Sequence, residues 1–289
     1  MDLAFACFGE VLWDLFPDYS RVGGAPLNVA FRLHSYGAQV GMISRIGKDE
    51  LGENLGAHFE KIGLSQSFLQ SDDRLATGKV LVALDAEGTA SYSIEQPSAW
   101  DQIDLKDASL QRLKSIGTLI FGSLACRGLQ NRKTLKHLLE ISKFNVFDVN
   151  LRPPHYTLEW IEDTLPLADL VKVNEEELEE LQGQKTFEAF RDQLKKDAIL
   201  CLTKGGDGAE LWIGDERFTN PGYRVKVADT VGAGDSFLAT LIYELSKKTN
   251  PQSALDRACA VGSLVASKQG AVAAISEKEL QYLMRQNGN

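Results

Sequence analysis

The stretch Asp229-Thr230-Val231-Gly232-Ala233-Gly234-Asp235-Ser236-Phe237 decides how the rest of the chain is read. Phe237, Leu238, Leu241 and Leu245 continue it at helical spacing, so its two glycines stand at a helix start. Glycine there lets successive backbone amides turn toward one point. The free N–H groups and the positive end of the helix dipole then form an anion site. A carboxylate inside such a site is not there to hold phosphate. Asp235 suits a base that takes the proton from an attacking hydroxyl, while the amides of Ala233, Gly234 and Asp235 stabilise charge on a transferring phosphoryl group. A bare Gly-x-Gly-Asp is also read as a glycine-rich turn with the Asp as helix cap. The string is not the dinucleotide fingerprint GxGxxG, and no GxxxxGK[ST] occurs in the chain.

Outward from this loop, short apolar runs alternate with amphipathic segments. Leu3–Phe8, Val40–Ile46, Leu119–Phe121, Val146–Val149, Leu170–Val173 and Ile199–Leu202 read as buried strands. Helical patterns cover 26–36, 50–62, 131–143, 175–195, 233–247, 252–268 and 276–285. That alternation predicts βαβ crossovers and a mostly parallel sheet covered on both faces. Two segments break the rhythm. Val11–Phe16 follows the first strand with no helix. Thr77–Leu84 and Thr89–Ile94 flank the acidic turn Asp85-Ala86-Glu87-Gly88 and read as a hairpin. A small inserted sheet is a lid candidate; an edge hairpin of the main sheet is the other reading. Along the hairpin Val80, Val82 and Leu84 alternate with Lys79, Leu81 and Ala83, so neither face is strongly polar. A face left open in this way predicts a homodimer contact through the lid. No Pro/Gly/Ser-rich linker divides the 289 residues, so 1–289 is expected to be a single domain, with lid segments at approximately 11–22 and 72–98.

Hydrophobic residues make up 44% and charged residues 25%, which excludes collagen-like and disordered chains. Lys plus Arg is 31 against 40 Asp plus Glu, a formal charge of −9, so neither nucleic acid nor an anionic membrane is an expected partner. Cys7, Cys126, Cys201 and Cys259 have no neighbour at metal-ligand spacing and read as buried thiols. The start MDLAFACFGE has no basic region before its apolar run, and no apolar stretch approaches the roughly 18 residues of a spanning helix. A cytoplasmic location is expected.

Other constellations carry chemistry of their own. Gly23 and Gly24 open a helix with Pro26 in its first turn. Their amides, with Asn28, can grip hydroxyls; a helix start without a ligand is the plainer reading. Asp148, Asn150 and Arg152 alternate after a buried strand, at the end where open α/β sheets bind ligands. Arg152 is a candidate contact for a sugar or a phosphate; capping of the strand end is the alternative. Asn174 and Glu177 sit where a strand gives way to a helix, and Glu175 and Glu176 read as ordinary dipole matching. The glycine-rich loop Thr203–Gly208, with Lys204 and Gly205, follows another strand and is placed to pass under a nucleotide, with the adenine between it and 258–271. The four histidines lack metal spacing, and Trp13 reads as packing.

The string DTVGAGDSF resembles the C-terminal signature of the ribokinase-like (PfkB) carbohydrate kinases. The resemblance runs from Gly9 to about Ala274 in the family's order. It includes Val22-Gly23-Gly24-Ala25-Pro26-Leu27-Asn28, Ser44-Arg45-Ile46-Gly47-Lys48-Asp49, Asp148-Val149-Asn150-Leu151-Arg152, Asn174-x-x-Glu177 and Thr203-Lys204-Gly205-Gly206-Asp207-Gly208. It implies a three-layer αβα sandwich with a mostly parallel central sheet and a small β-sheet lid. It implies ATP-dependent phosphorylation of a sugar primary hydroxyl, and FGEVLWDLFP, GGAPLN and DVNLR look most like fructokinases. Ribose, a ketogluconate-type acid or a nucleoside are rival substrates, and an inactive sugar-binding regulator is the rival of another class. The resemblance makes Asp14 a sugar-hydroxyl acceptor and Gly232–Asp235 the catalytic loop. It makes Asn174, Glu177, Thr203, Lys204, Gly205 and Gly208 nucleotide-side residues. It gives Glu177 to Mg²⁺ through water, and Asp229 and Val231 to a monovalent cation such as K⁺.

Overall fold

The N-terminal strand β1 (Asp2–Phe8) is buried continuously from Phe5 to Phe8, as a strand covered on both faces must be. In the computed structural model, which describes residues 1–84, 90–271 and 273–286, β1 belongs to the first of two units. This unit comprises 1–30 and 38–143. It continues through β2 (Leu12–Leu15), β3 (Ser20–Gly23), α1 (Ala25–Ser35), β4 (Val40–Gly47), α2 (Glu50–Ile62), β5 (Leu69–Asp72), β6 (Gly78–Leu84), β7 (Ala90–Ile94), α3 (Ala108–Gln111), β8 (Ser115–Gly122) and α4 (Leu129–Ile141). Strands β8, β1, β4 and β5 lie side by side, all parallel. Helix α2 shows why its sequence stops and starts where it does. Asp49 accepts the Gly52 N–H at 2.8 Å, and Gly63 ends the helix in the left-handed region at φ 72°.

A second, smaller sheet in this unit has the order β3-β2-β6-β7. Here β2 pairs antiparallel with β3 and parallel with β6, and β6 pairs antiparallel with β7. Val80 and Val82 pack with Leu12 on one face, while Leu81 and Ala83 on the other stay exposed. The two faces therefore differ more than their composition suggested. The segments 11–16, 77–84 and 90–94 are thus joined in one sheet outside the main strands, not an edge hairpin. The turn Asp85–Gly88 lies outside the described residues.

The second unit comprises 31–37 and 144–289. Its elements are β9 (Ser142–Asp148), α5 (Leu158–Thr164), β10 (Leu170–Asn174), α6 (Glu175–Gln182), α7 (Phe187–Arg191), β11 (Ile199–Thr203), β12 (Ala209–Ile213), β13 (Glu216–Asn220), α8 (Ala233–Ser246), α9 (Pro251–Ala266) and α10 (Glu277–Gln286). β9, β10 and β11 are parallel, and β12 and β13 extend them as an antiparallel hairpin. Leu211, Leu241, Ala258, Val261 and Leu283 lie in one apolar core of this unit.

The α/β class and the mostly parallel strands agree with the sequence pattern. Several boundaries do not. The helix expected over 175–195 is two, because Gly183 ends α6 and Thr186 caps α7, accepting the Ala189 N–H. The helix expected over 131–143 starts at Leu129 and yields to β9 at Ser142. β5, α5 and the β12–β13 hairpin were not expected. All four cysteines are free and buried. Among the described residues no helix is long and apolar enough to cross a membrane.

Candidate active site

At the start of α8, Gly232 has φ 74°, and a Cβ there would stand 2.5 Å from Ala271 Cα. Only glycine satisfies both conditions. Asp229 pins the turn, its Oδ1 accepting the Val231 N–H at 3.0 Å and its Oδ2 the Gly270 N–H at 3.2 Å. Asp235 lies in the first turn, half-buried. One expectation needs correction: the Ala233 N–H donates to the Thr230 carbonyl at 3.2 Å, so it is held inside the turn.

Beside this loop lies a charged cluster inside the unit. Lys172, 7% exposed, donates from Nζ to Asp148 Oδ1 at 2.7 Å. A Cβ on Gly234 would lie 3.9 Å from Nζ. Burial alone would lower the Lys172 ammonium, but Asp148, Glu177 and Asp235 outweigh it and raise it above the usual lysine range. Glu177 is buried and forms a capping box with Asn174: Asn174 Oδ1 accepts the Glu177 N–H at 2.8 Å and Glu177 Oε2 the Asn174 N–H at 2.9 Å. Its Oε1 accepts the Leu151 N–H at 2.9 Å. Burial pushes the Glu177 carboxyl up, and Lys172 pulls it down. The capping reading and the phosphate-side reading of Asn174-x-x-Glu177 are therefore compatible. Each Glu177 oxygen keeps a second lone pair.

Sequence reasoning missed Lys172. A lysine between Val171 and Val173 in a buried strand is the signal that points to it, since lysine is almost never buried unless paired. It also missed Arg32, a buried guanidinium on the Ser236 hydroxyl. Arg152 is exposed, and its Nη1 donates to the Leu151 carbonyl at 2.8 Å. In the glycine-rich loop, the Lys204 N–H closes on the Gly208 carbonyl at 2.8 Å. The Lys204 ammonium pairs with buried Glu210, which also takes Arg217. That ammonium is thus committed across the β11–β12 turn. Thr203 Oγ1 donates to the Val173 carbonyl at 3.4 Å.

The sugar-side candidates fall in the first unit. Gly24 has φ 114°, and a Cβ on it would meet the Glu10 carbonyl at 2.4 Å. A Cβ on Gly23 would meet Asp14 Oδ2 at 2.4 Å, so the carboxylate lies against this glycine. Asp14 pairs with Arg21 in the β2–β3 register, and burial pushes its carboxyl up to about 6, with Arg21 acting in the opposite direction. Asn28 is buried and its N–H donates to the Gly24 carbonyl at 3.0 Å. Trp13 donates to the Leu51 carbonyl at 3.0 Å, in keeping with packing.

A buried cation beside a glycine-opened helix carrying Asp235 defines a phosphoryl-transfer site. The pfkB family carbohydrate kinase model matches residues 18–278, and the chain belongs to that family of phosphotransferases. It is 28% identical to fructokinase-1 of Oryza sativa subsp. japonica, over 96% of this chain and 96% of the relative. The crystal structure of Vibrio cholerae fructokinase with fructose, ADP and calcium bound is 26% identical, has a TM-score of 0.84 and covers 97% and 98% of the two chains. Salmonella enterica aminoimidazole riboside kinase, complexed with its riboside and an ATP analogue, is 25% identical with a TM-score of 0.84, over 98% and 100%. The ribokinase-like fold is thereby shared along nearly the whole chain.

Proposed function

We propose that this sugar kinase phosphorylates a primary hydroxyl of fructose or a related hexose, with ATP as donor. The observation that carries the chemistry is the place of Asp235 in the first turn of α8, next to Gly234, where a Cβ would lie 3.9 Å from Nζ of the buried Lys172. Asp235 removes the hydroxyl proton, and the Gly234 and Asp235 amides meet the charge that develops on the phosphoryl group. Asp14, Asn28 and the Gly23-Gly24 amides hold the sugar. The whole chain, 1–289, acts as one kinase domain in a cytoplasmic setting.

The donor set fits ATP with Mg²⁺. The positive-φ Gly232 opens a cradle of amides, and Glu177 keeps a lone pair on each oxygen for metal-bound water. When bound, Mg²⁺ offsets charge on the β- and γ-phosphates. Asp229, which ties Val231 to Gly270, supports a K⁺ position there. The small sheet keeps Leu81 46% exposed on the face opposite Val80 and Val82, which supports its use as a dimer contact. A mass of one chain, 31.8 kDa, by light scattering at micromolar concentration overturns the dimer.

The fructokinase names among the relatives favour fructose, and the riboside kinase neighbour favours a furanoside as the second reading. A coupled ADP-release assay over a sugar and nucleoside panel decides between them. Fructose is expected to give the highest kcat/KM, and a higher value for a riboside overturns the hexose reading.

A further inference from the structure

We propose that Arg21, seated on the stacked rings of Phe16 and Tyr19 and opposite Asp14 across the β2–β3 pair, is a positioning residue for the sugar. It keeps the Asp14 carboxylate available as a hydroxyl acceptor beside Gly23. The register puts the two residues together. Asp14 and Arg21 are direct partners in the antiparallel pair. Such partners share a face, with Cβ atoms about 4.5–5.5 Å apart. Side chains alternate along a strand, so Leu12 and Phe16 share that face with Asp14, and Gly23 shares it with Arg21. On the other side of Asp14 stands Val80 of β6, which packs with Leu12. The carboxylate is bounded there by apolar side chains and leans toward Gly23, its Oδ2 lying 2.4 Å from the place of a Cβ.

The cation has a seat of its own. The Phe16 N–H donates to the Tyr19 carbonyl at 2.9 Å and closes the hairpin turn, and the two rings stack at 4.4 Å with 14° between their planes. The Arg21 guanidinium carbon lies 5.5 Å from the Phe16 centroid and 4.9 Å from the Tyr19 centroid. Ring faces attract a cation at that range, and a planar guanidinium stacks on them. The turn itself therefore fixes a positive charge next to Asp14. Electrostatics agree with this geometry. Burial pushes the Asp14 carboxyl up to about 6, and Arg21 acts in the opposite direction. Lys79 lies on the other face, opposite Trp13, and ion-pairs with Glu95 at 3.3 Å. Asp18 sits in the turn, Tyr92 stands opposite Val82, and the buried Glu10 acts on the Cys126 thiol. Without Arg21 the apolar surroundings would act unopposed, and Asp14 would hold its proton to a higher pH and lose acceptor capacity.

This inference rests on the reading of Asp14 as the sugar's acceptor, and the test keeps the two apart. The probe is fructose, or the panel sugar of highest kcat/KM, at saturating ATP, with the sugar KM read at pH 6.5 and pH 8. Loss of a neighbouring opposite charge raises a carboxyl by about one pH unit at the low end, which raises the sugar KM about threefold at pH 6.5 and hardly at all at pH 8. Arg21→Gln is expected to show that pattern. Arg21→Lys, which keeps the charge without the planar stack, is expected to show part of it. An equal rise at both pH values, as a loosened hairpin would give, overturns the inference, and so does no rise; either leaves the kinase reading standing. Asp14→Asn with a wild-type sugar KM at pH 8 removes the acceptor and overturns the inference with it. A wild type that turns over no sugar of the panel overturns the inference and the kinase reading together. If Arg21→Gln does not melt cooperatively, Tyr19→Leu carries the test, because it removes the exposed ring and keeps the charge. A smaller rise confined to pH 6.5 is then expected, and a KM that is unchanged or rises equally at both pH values overturns the inference.

Discussion

The buried guanidinium of Arg32 donates from Nε to the Ser236 hydroxyl at 3.2 Å, one residue past Asp235. Its Nη2 donates to the Ala273 carbonyl at 2.8 Å, so one side chain braces both the start of α8 and the segment after Gly270. The Arg32 guanidinium is pulled down by burial and supported by Tyr36, whose hydroxyl meets Thr240 at 2.7 Å.

Arg32→Met strands the Ala273 carbonyl and a buried hydroxyl. Stability should fall by about 1–3 kcal/mol for each group left unsatisfied, read from urea unfolding. Because Ser236 adjoins Asp235, kcat should fall further than the sugar KM rises. Arg32→Lys keeps the charge but not the two-armed reach, and should recover only part of both.

Asp235→Asn preserves the shape of the helix start and removes the proton acceptor. Turnover should fall about 10²–10⁴-fold, with the sugar and nucleotide dissociation constants retained. A folded Asn variant with wild-type turnover would remove Asp235 from the mechanism.

Gly23→Ala and Gly24→Ala should fail in different ways. The new methyl on residue 23 meets the end of the Asp14 side chain at 2.4 Å, which can swing aside. The protein should melt near the wild-type temperature while its sugar KM rises. At residue 24 the methyl meets backbone, the Glu10 carbonyl, at 2.4 Å with φ at 114°. There the melting temperature itself should drop. Paired melts and sugar titrations check the contrast.

Asp14 titrates near 6 because it is half-buried. As an acceptor for sugar hydroxyls it works ionised, so the sugar KM should rise as the pH falls through about 6. Asp14→Asn should flatten that dependence. The stability effect has the opposite sense. A carboxyl raised in the folded state binds its proton more tightly there than when unfolded, so this group favours folding at low pH. That contribution is lost as the pH rises through about 6. Unfolding curves at pH 5 and 7, wild type against Asp14→Asn, read the difference.

The parallel strands were legible because continuous apolar runs such as Leu170–Val173 have no other place than a covered sheet. The β12–β13 hairpin was not. Its second strand, Glu216–Asn220, is an edge strand with polar residues on both sides of Phe218, and it leaves no run to detect. Lys204 looked like a nucleotide ligand beside its glycines. The fold of β12 brings Glu210 back across the turn, and the pairing becomes visible only then.

What the sequence determined on its own is chemistry carried by neighbours in the chain. Gly232 through Asp235 open a helix with a carboxylate in its first turn, and Asn174 with Glu177, three positions on, closes a capping box. Such motifs need only local backbone geometry, so spacing reveals them. The tertiary structure decided which charges meet. Lys172 finds Asp148 from 24 residues away, and Arg32 finds Ser236 from 204. A buried charge must be compensated by whatever group packing delivers to it, and only the three-dimensional arrangement of strands and helices sets that neighbour.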